Sequence, residues 1–299
     1  MIYKPPLMKV GIIGLGLLGS SICLRLISQG FEVGIYNRTI SKTKSLEKEG
    51  AEIFDSPKEI ADNADLIINC VRDFEATKKI CFQKNGIQET DNKKVIVADF
   101  STVSPTESIF CSRMFNSKNI SMLSSPVMGG PNAALHGHLI PIVSGDQHIF
   151  NKVKNILEKL GNPVFYIGNI DGSANAVKLA LNLNIGLIAM AFSEGLLLSD
   201  KYEIEPELYL KIFNSTTFRT GISENKGPKI INNDFTPSFY LKNMKKDLGL
   251  ALEAAKEKEL SLPVTSITFQ LYNYAATSQF SDYDYTGIYK FLKKLNNLE

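Results

Sequence analysis

The run Gly14-Leu15-Gly16-Leu17-Leu18-Gly19 constrains this chain more than any other stretch, because of the segments that flank it. Before it, Lys9-Val10-Gly11-Ile12-Ile13 is apolar and partly β-branched, the pattern of a buried strand. After it, apolar residues at Ile22, Leu24, Leu26 and Ile27 mark Ser20 to Gln29 as an amphipathic helix ended by Gly30. A second apolar strand, Phe31 to Tyr36, follows at once. Strand, glycine turn, helix and strand within about thirty residues is the context that makes G-x-G-x-x-G a dinucleotide-binding signal. Gly14 permits the tight turn, Gly16 lets the backbone approach a pyrophosphate, and Gly19 lets helix and strand pack closely. Leu15, Leu17 and Leu18 complete the turn, whose free N–H groups and helix dipole favour an anion.

The residues ending the second strand, Asn37-Arg38-Thr39, indicate which dinucleotide. A site for NAD places Asp or Glu there, on the ribose 2′-hydroxyl. A carboxylate repels a 2′-phosphate, whereas the Arg38 guanidinium can pair with it and stack on adenine. Lys42 and Lys44 add positive field in the next turn. NADP(H) is the expected cofactor.

At 299 residues the chain has material for two domains. Its 33 basic and 31 acidic residues nearly cancel, which gives no reason to expect nucleic acid or an acidic membrane as partner. Four cysteines, Cys23, Cys70, Cys81 and Cys111, lack metal-type spacing and read as reduced thiols of a cytoplasmic protein. Met1 to Leu7 is too short and too broken by proline for a signal peptide, and no apolar run is expected to span a membrane.

Strand and helix signals keep alternating downstream. Asp65–Val71 and Lys94–Asp99 read as buried strands, with a helix from Phe74 to Phe82 between them. The loops at their carboxyl ends, Val71-Arg72-Asp73 and Ser101-Thr102-Val103, are expected to open onto the ligand crevice. From Pro163 the alternation fades. Asp171–Lys201 is one long helical pattern, and Pro237–Glu259 and Pro263–Ser278 also read as helix. The expected architecture is α/β: an N-terminal Rossmann dinucleotide-binding domain, residues 1–168, joined by a long interdomain helix to an all-α domain, residues 169–299.

Four motifs and a later fifth element together resemble the β-hydroxyacid dehydrogenases, the group that includes 3-hydroxyisobutyrate dehydrogenase and the glyoxylate/succinic semialdehyde reductases. Beside the glycine turn stands Asp99-Phe100-Ser101-Thr102-Val103-Ser104-Pro105, similar to D-x-S-T-x-x-P. Pro126-Val127-Met128-Gly129-Gly130, with Ala134, Gly137 and Leu139, is similar to P-V-S-G-G…A-x-x-G-x-L. Lys178 and Asn182 match K-x-x-x-N, and Phe239-Tyr240-Leu241 with Lys245-Lys246-Asp247-Leu248 is similar to F-x-L…K-D-L. The order and spacing hold over nearly the whole chain.

The resemblance implies hydride transfer between a nicotinamide and a small β-hydroxy acid or its carbonyl counterpart, in a homodimer or homotetramer. It makes Lys178 the general acid in reduction and general base in oxidation, a role suited to a lysine in a partly desolvated cleft. Asn182, one turn on, is expected to hold the substrate oxygen or carboxylate and orient Lys178. Backbone N–H groups at Gly129 and Gly130 would face an anionic substrate group, Ser101 and Thr102 the nicotinamide end, and Lys246 the nicotinamide ribose. The chain departs from the pattern at Met128, where the family has serine. A thioether cannot donate a hydrogen bond to a carboxylate, so Met128 is expected to shift substrate choice. An imine reductase and a non-catalytic protein of the same fold are the alternatives, and both generally lack the lysine kept here. His136 and His138 lack a partner with metal-ligand spacing and read as a solvated loop pair; Asp284 reads as a helix N-cap, and the C-terminal aromatic residues as core or subunit interface.

Overall fold

The computed structural model describes residues 8–298. The reading of Met1 to Leu7 lies outside the described residues. Two compact units divide the chain, the first ending at Lys178 and the second starting at Leu179.

The strands are β1 (Val10–Ile13), β2 (Val33–Tyr36), β3 (Glu52–Ile53), β4 (Leu66–Asn69), β5 (Ile96–Asp99), β6 (Ser121–Ser124), β7 (Val127–Met128), β8 (Ile140–Ser144) and β9 (Phe165–Gly168). The helices among them are α1 (Leu17–Ser28), α2 (Lys44–Glu47), α3 (Pro57–Asn63), α4 (Phe74–Phe82), α5 (Pro105–Asn116), α6 (Pro131–His136) and α7 (Gln147–Leu160). Strands β3-β2-β1-β4-β5-β6 run parallel in that order, β8 is antiparallel to β6, and β7 and β9 both pair with β8. A parallel sheet covered on both faces needs strands that are apolar throughout. Here alternate residues feed two cores. Val10, Ile12, Leu66, Ile68, Ile96 and Ala98 belong to one cluster, and Ile13, Ile67 and Val97 to the other.

The expected helix from Ser20 begins three residues earlier, at Leu17, because the glycine turn itself supplies the N-cap at Gly16. The fading of the alternation at Pro163 is corrected by β9, a half-exposed strand with a weak apolar signal. The expected boundary at Gly168 precedes the division after Lys178 by ten residues. The start of the long helix α8 (Ser173–Lys201) is tied into the first unit: the Gly172 N–H donates to Ser124 Oγ at 3.4 Å, the Ala174 N–H to Ser144 Oγ at 3.1 Å, and Asn175 Nδ2 to the Val103 carbonyl at 3.4 Å.

The second unit holds the rest of α8, then α9 (Pro206–Ser215), α10 (Gly221–Ile231), α11 (Leu241–Glu257), α12 (Pro263–Thr277) and α13 (Ile288–Leu295). Its core packs Ala189, Phe192 and Leu196 of α8 with Leu241, Met244 and Leu248 of α11 and Tyr272 of α12. Helix α8 is long and apolar enough to cross a membrane, which corrects the expectation that no run was. Ala189, Met190, Phe192, Leu196 and Leu197 of this helix are buried in this core, while Leu181 and Leu198 are exposed. Asp284 caps as expected, but for the short 3₁₀ turn Tyr285–Gly287 before α13.

Candidate active site

The glycine turn has the geometry its sequence demands. Gly14 sits at φ +96°, a left-handed value, and a Cβ there would lie 2.3 Å from the Cys70 carbonyl oxygen. A Cβ on Gly19 would lie 2.0 Å from the carbonyl oxygen of Gly14. Gly16 differs: a Cβ there would meet none of the described residues within 4 Å. The fold requires glycine at 14 and 19. At 16 the open space lies at the N-terminus of α1, whose first turn has no acidic residue and whose cap receives no side-chain hydrogen bond among the described residues. That is a cradle for a pyrophosphate, so these residues fit a dinucleotide.

Asn37 braces the turn from the end of β2. Its Oδ1 accepts the Leu15 N–H at 3.0 Å, and its Nδ2 donates to the Thr39 carbonyl at 2.9 Å. Leu15 is buried, while Leu17, Arg38, Thr39, Lys42 and Lys44 are exposed and Leu18 is half-buried. The structure thus separates two roles: Asn37 holds protein, and Arg38 faces solvent with its charge available.

At the carboxyl ends of β4 and β5 a buried polar knot forms. Asn69 Nδ2 donates to Asp99 Oδ1 at 3.1 Å and to Ser101 Oγ at 3.4 Å. The Ser101 N–H donates to Asp99 Oδ1 at 3.0 Å, and the Val71 N–H to Ser101 Oγ at 3.2 Å. Ser101 is 1% exposed, and its hydroxyl fastens the two loops together. Thr102 is half-buried beside it. Arg72 is exposed and pairs with Asp73, Nε to Oδ2 2.7 Å.

Lys178 is only 9% exposed. Its Nζ donates to the Val127 carbonyl at 2.7 Å and lies 3.2 Å from Met128 Sδ. The Ile142 N–H donates to the Pro126 carbonyl at 2.9 Å, so by strand alternation the Val127 carbonyl turns away from β8 and toward the lysine. Burial of an ammonium demands such acceptors. Gly129, at φ +111°, follows at once; a Cβ there would come within 2.9 Å of Leu139, and Gly130 caps α6.

Asn182 lies one turn further along α8 and is 3% exposed. Its Nδ2 donates to Asp247 Oδ2 at 2.6 Å, so the amide group expected to hold substrate is engaged with a buried carboxylate. Lys246 pairs with the same carboxylate, Nζ to Oδ1 2.9 Å. Lys178 with Val127 and Met128 therefore forms one group within the first unit, and Asn182, Asp247 and Lys246 another within the second.

His136 and His138 stack with centroids 6.2 Å apart, and no group of three or more His, Cys, Asp or Glu that could hold a metal occurs among the described residues. The cysteines are free thiols, and burial pushes those of Cys23 and Cys70 up to about 12. Sequence reasoning gave no role to Asn69, Asp99, Asp247 or the Val127 carbonyl. Asp99 and Asp247 stand inside recognisable motifs, and Asn69 ends a strand on the expected crevice side; a backbone oxygen carries no sequence signal.

Residues 9–168 match the family model described as the NAD binding domain of 6-phosphogluconate dehydrogenase. Residues 172–292 match the one described as "NAD-binding of NADP-dependent 3-hydroxyisobutyrate dehydrogenase". Glyoxylate/succinic semialdehyde reductase 1 of Arabidopsis thaliana is 30% identical over 286 residues, 96% of this chain and 99% of that protein. The structure of a 3-hydroxyisobutyrate dehydrogenase from Salmonella typhimurium superposes with a TM-score of 0.87 at 23% identity, covering 95% of this chain and 99% of that one. An imine reductase from Myxococcus stipitatus in complex with NADP+ shares the fold at a TM-score of 0.65 and 20% identity, over 95% of this chain and 100% of that one. With an uninterrupted dinucleotide turn, a sequestered lysine on α8 and family models over both units, the chain belongs to the β-hydroxyacid dehydrogenase family of NAD(P)-dependent oxidoreductases.

Proposed function

We propose that this protein is an NADP(H)-dependent reductase or dehydrogenase that interconverts a small β-hydroxy acid and its carbonyl counterpart, with Lys178 as general acid and base. The observation that carries the reading is the sequestered Lys178 ammonium, 9% exposed and held by Val127 and Met128 in the unit that also carries the dinucleotide turn. When bound, NADP(H) supplies or accepts the hydride at its nicotinamide ring. The N–H groups opening α1 hold the pyrophosphate, and Arg38 pairs with the 2′-phosphate. Lys178 gives a proton from Nζ to the carbonyl oxygen in reduction and takes it back in oxidation. Backbone N–H groups at Gly129 and Gly130 receive the substrate's anionic group, and Asp247 fixes the Asn182 amide.

Three features support this reading over imine reduction. The lysine is kept, it is enclosed, and the likeness to imine reductases extends to the fold alone. The 30% identity to a plant glyoxylate/succinic semialdehyde reductase supports short semialdehydes as the substrate class. Met128 argues for a less polar member of it, because a thioether offers a carboxylate no donor. A cytoplasmic homodimer or homotetramer is the proposed working form. Following NADPH absorbance across a panel of semialdehydes, glyoxylate, apolar ketones and cyclic imines tests the proposal. Turnover confined to carbonyls bearing a nearby carboxylate supports it; turnover only with cyclic imines overturns it.

A further inference from the structure

We infer that Met128 is a positioning residue for Lys178, acting through its sulfur rather than its bulk. The inference rests on the reading of Lys178 as the proton donor. An ammonium group has three N–H donors and a four-carbon stem with many rotamers. The Val127 carbonyl at 2.7 Å and Met128 Sδ at 3.2 Å are among the contacts that select between those rotamers. They come from adjacent residues of β7, which pairs with β8 at Val127–Pro141 and Met128–Ile140. The backbone fixes the first contact in any sequence. The second depends on the side chain at 128.

The two acceptors differ in kind. A carbonyl oxygen is a strong, directional acceptor, whereas a thioether is weak, polarisable and adaptable. The carbonyl therefore anchors the ammonium firmly, and the thioether adds a weaker contact that helps to aim it. Serine, the residue the family motif carries here, has a short hydroxyl that both accepts and donates. Methionine reaches the ammonium on a longer stem and only accepts. In this chain position 128 serves the lysine, and the substrate's anionic group falls to backbone N–H groups nearby.

Met128→Leu separates sulfur from bulk, because it removes the acceptor while keeping volume and apolarity, a swap that cores tolerate well. Neither side chain can donate to a carboxylate, so substrate binding should be equal in both. Met128→Gln restores an acceptor at similar reach. Two readouts apply: steady-state constants, and the ε-carbon NMR signal of Lys178 in 13C-lysine-labelled protein without substrate, assigned by its loss in Lys178→Arg. Met128→Leu should lower kcat about tenfold with KM within about twofold, the scale of one modest hydrogen bond. It should also move the Lys178 signal, and Met128→Gln should recover most of kcat. Native kcat in Met128→Leu, or a lowered kcat with the Lys178 signal unmoved, overturns the inference. Undiminished turnover in Lys178→Ala overturns the underlying reading instead, and the NMR comparison still reports whether sulfur holds the lysine.

Discussion

At the scale of single residues, the sequence and the structure assign different work to neighbouring side chains. Asn37 and Arg38 are adjacent at the end of β2, yet Asn37 spends both polar ends on the protein and Arg38 stands exposed. Arg38→Ala should therefore weaken NADPH binding by about 1.5–3 kcal/mol, the scale of a lost hydrogen bond to a charged group, and leave NADH binding nearly unchanged. Fluorescence titration with both cofactors checks this, and equal native affinity for the two would remove the assignment. Residue types and motif spacing made Lys178, Asn182 and the glycines legible. What stayed hidden was pairing: that Asn182 gives its amide to Asp247, and that Lys178 ends on a backbone oxygen, depends on contacts between distant segments. The thiols give a second prediction at this scale. Cys23 is fully buried and its thiol is raised from the ordinary 9.0 to about 12, so it should not react with thiol reagents at neutral pH while the protein is folded. A folded-state pKa above the unfolded one stabilises below pH 9 and progressively less above it, so alkaline conditions past that point should lower the melting temperature.

At the scale of elements, the β1–turn–α1 unit is where sequence spoke most clearly, because each glycine has its own steric or ligand-side reason. Those reasons can be told apart. A Cβ on Gly19 would sit 2.0 Å from the Gly14 carbonyl oxygen, whereas one on Gly16 would meet no described residue within 4 Å. Gly19→Ala should cost at least about 1–3 kcal/mol of stability through overpacking, seen as a lower melting temperature without any cofactor. Gly16→Ala should melt close to native alone but lose most of the stabilisation NADPH confers. Equal melting temperatures for the two variants would contradict the steric assignment. Helix α4 fell at Phe74–Phe82 as expected because Asp73 caps it locally, its side chain accepting the Ala76 N–H. Strand β9 carries little sequence signal because its Phe165 and Ile167 are half-exposed, and a strand recognised by apolar burial gives none when its side chains face outward.

At the scale of the whole molecule, the division after Lys178 parts the candidate site residues unevenly. The first unit carries the dinucleotide turn, Arg38, the strand-end knot and Lys178, and the second carries Asn182, Asp247 and Lys246. The α8 pattern was legible as one helix, but where it changes unit was not, since its start is tied to distant segments by the Gly172 and Ala174 N–H groups, which donate to Ser124 and Ser144 Oγ. Binding to the folded state alone stabilises it by about 2.7 kcal/mol at a hundredfold excess over Kd, so NADPH should raise the melting temperature by several degrees and NADH at equal concentration by less. The central claim is that Lys178 moves the proton while NADP(H) moves the hydride, and turnover by Lys178→Ala at saturating NADPH tests it most directly. The account predicts a fall of roughly 10²–10⁴-fold in kcat with NADPH affinity and melting temperature close to native. Near-native kcat on the same carbonyl substrate would contradict it.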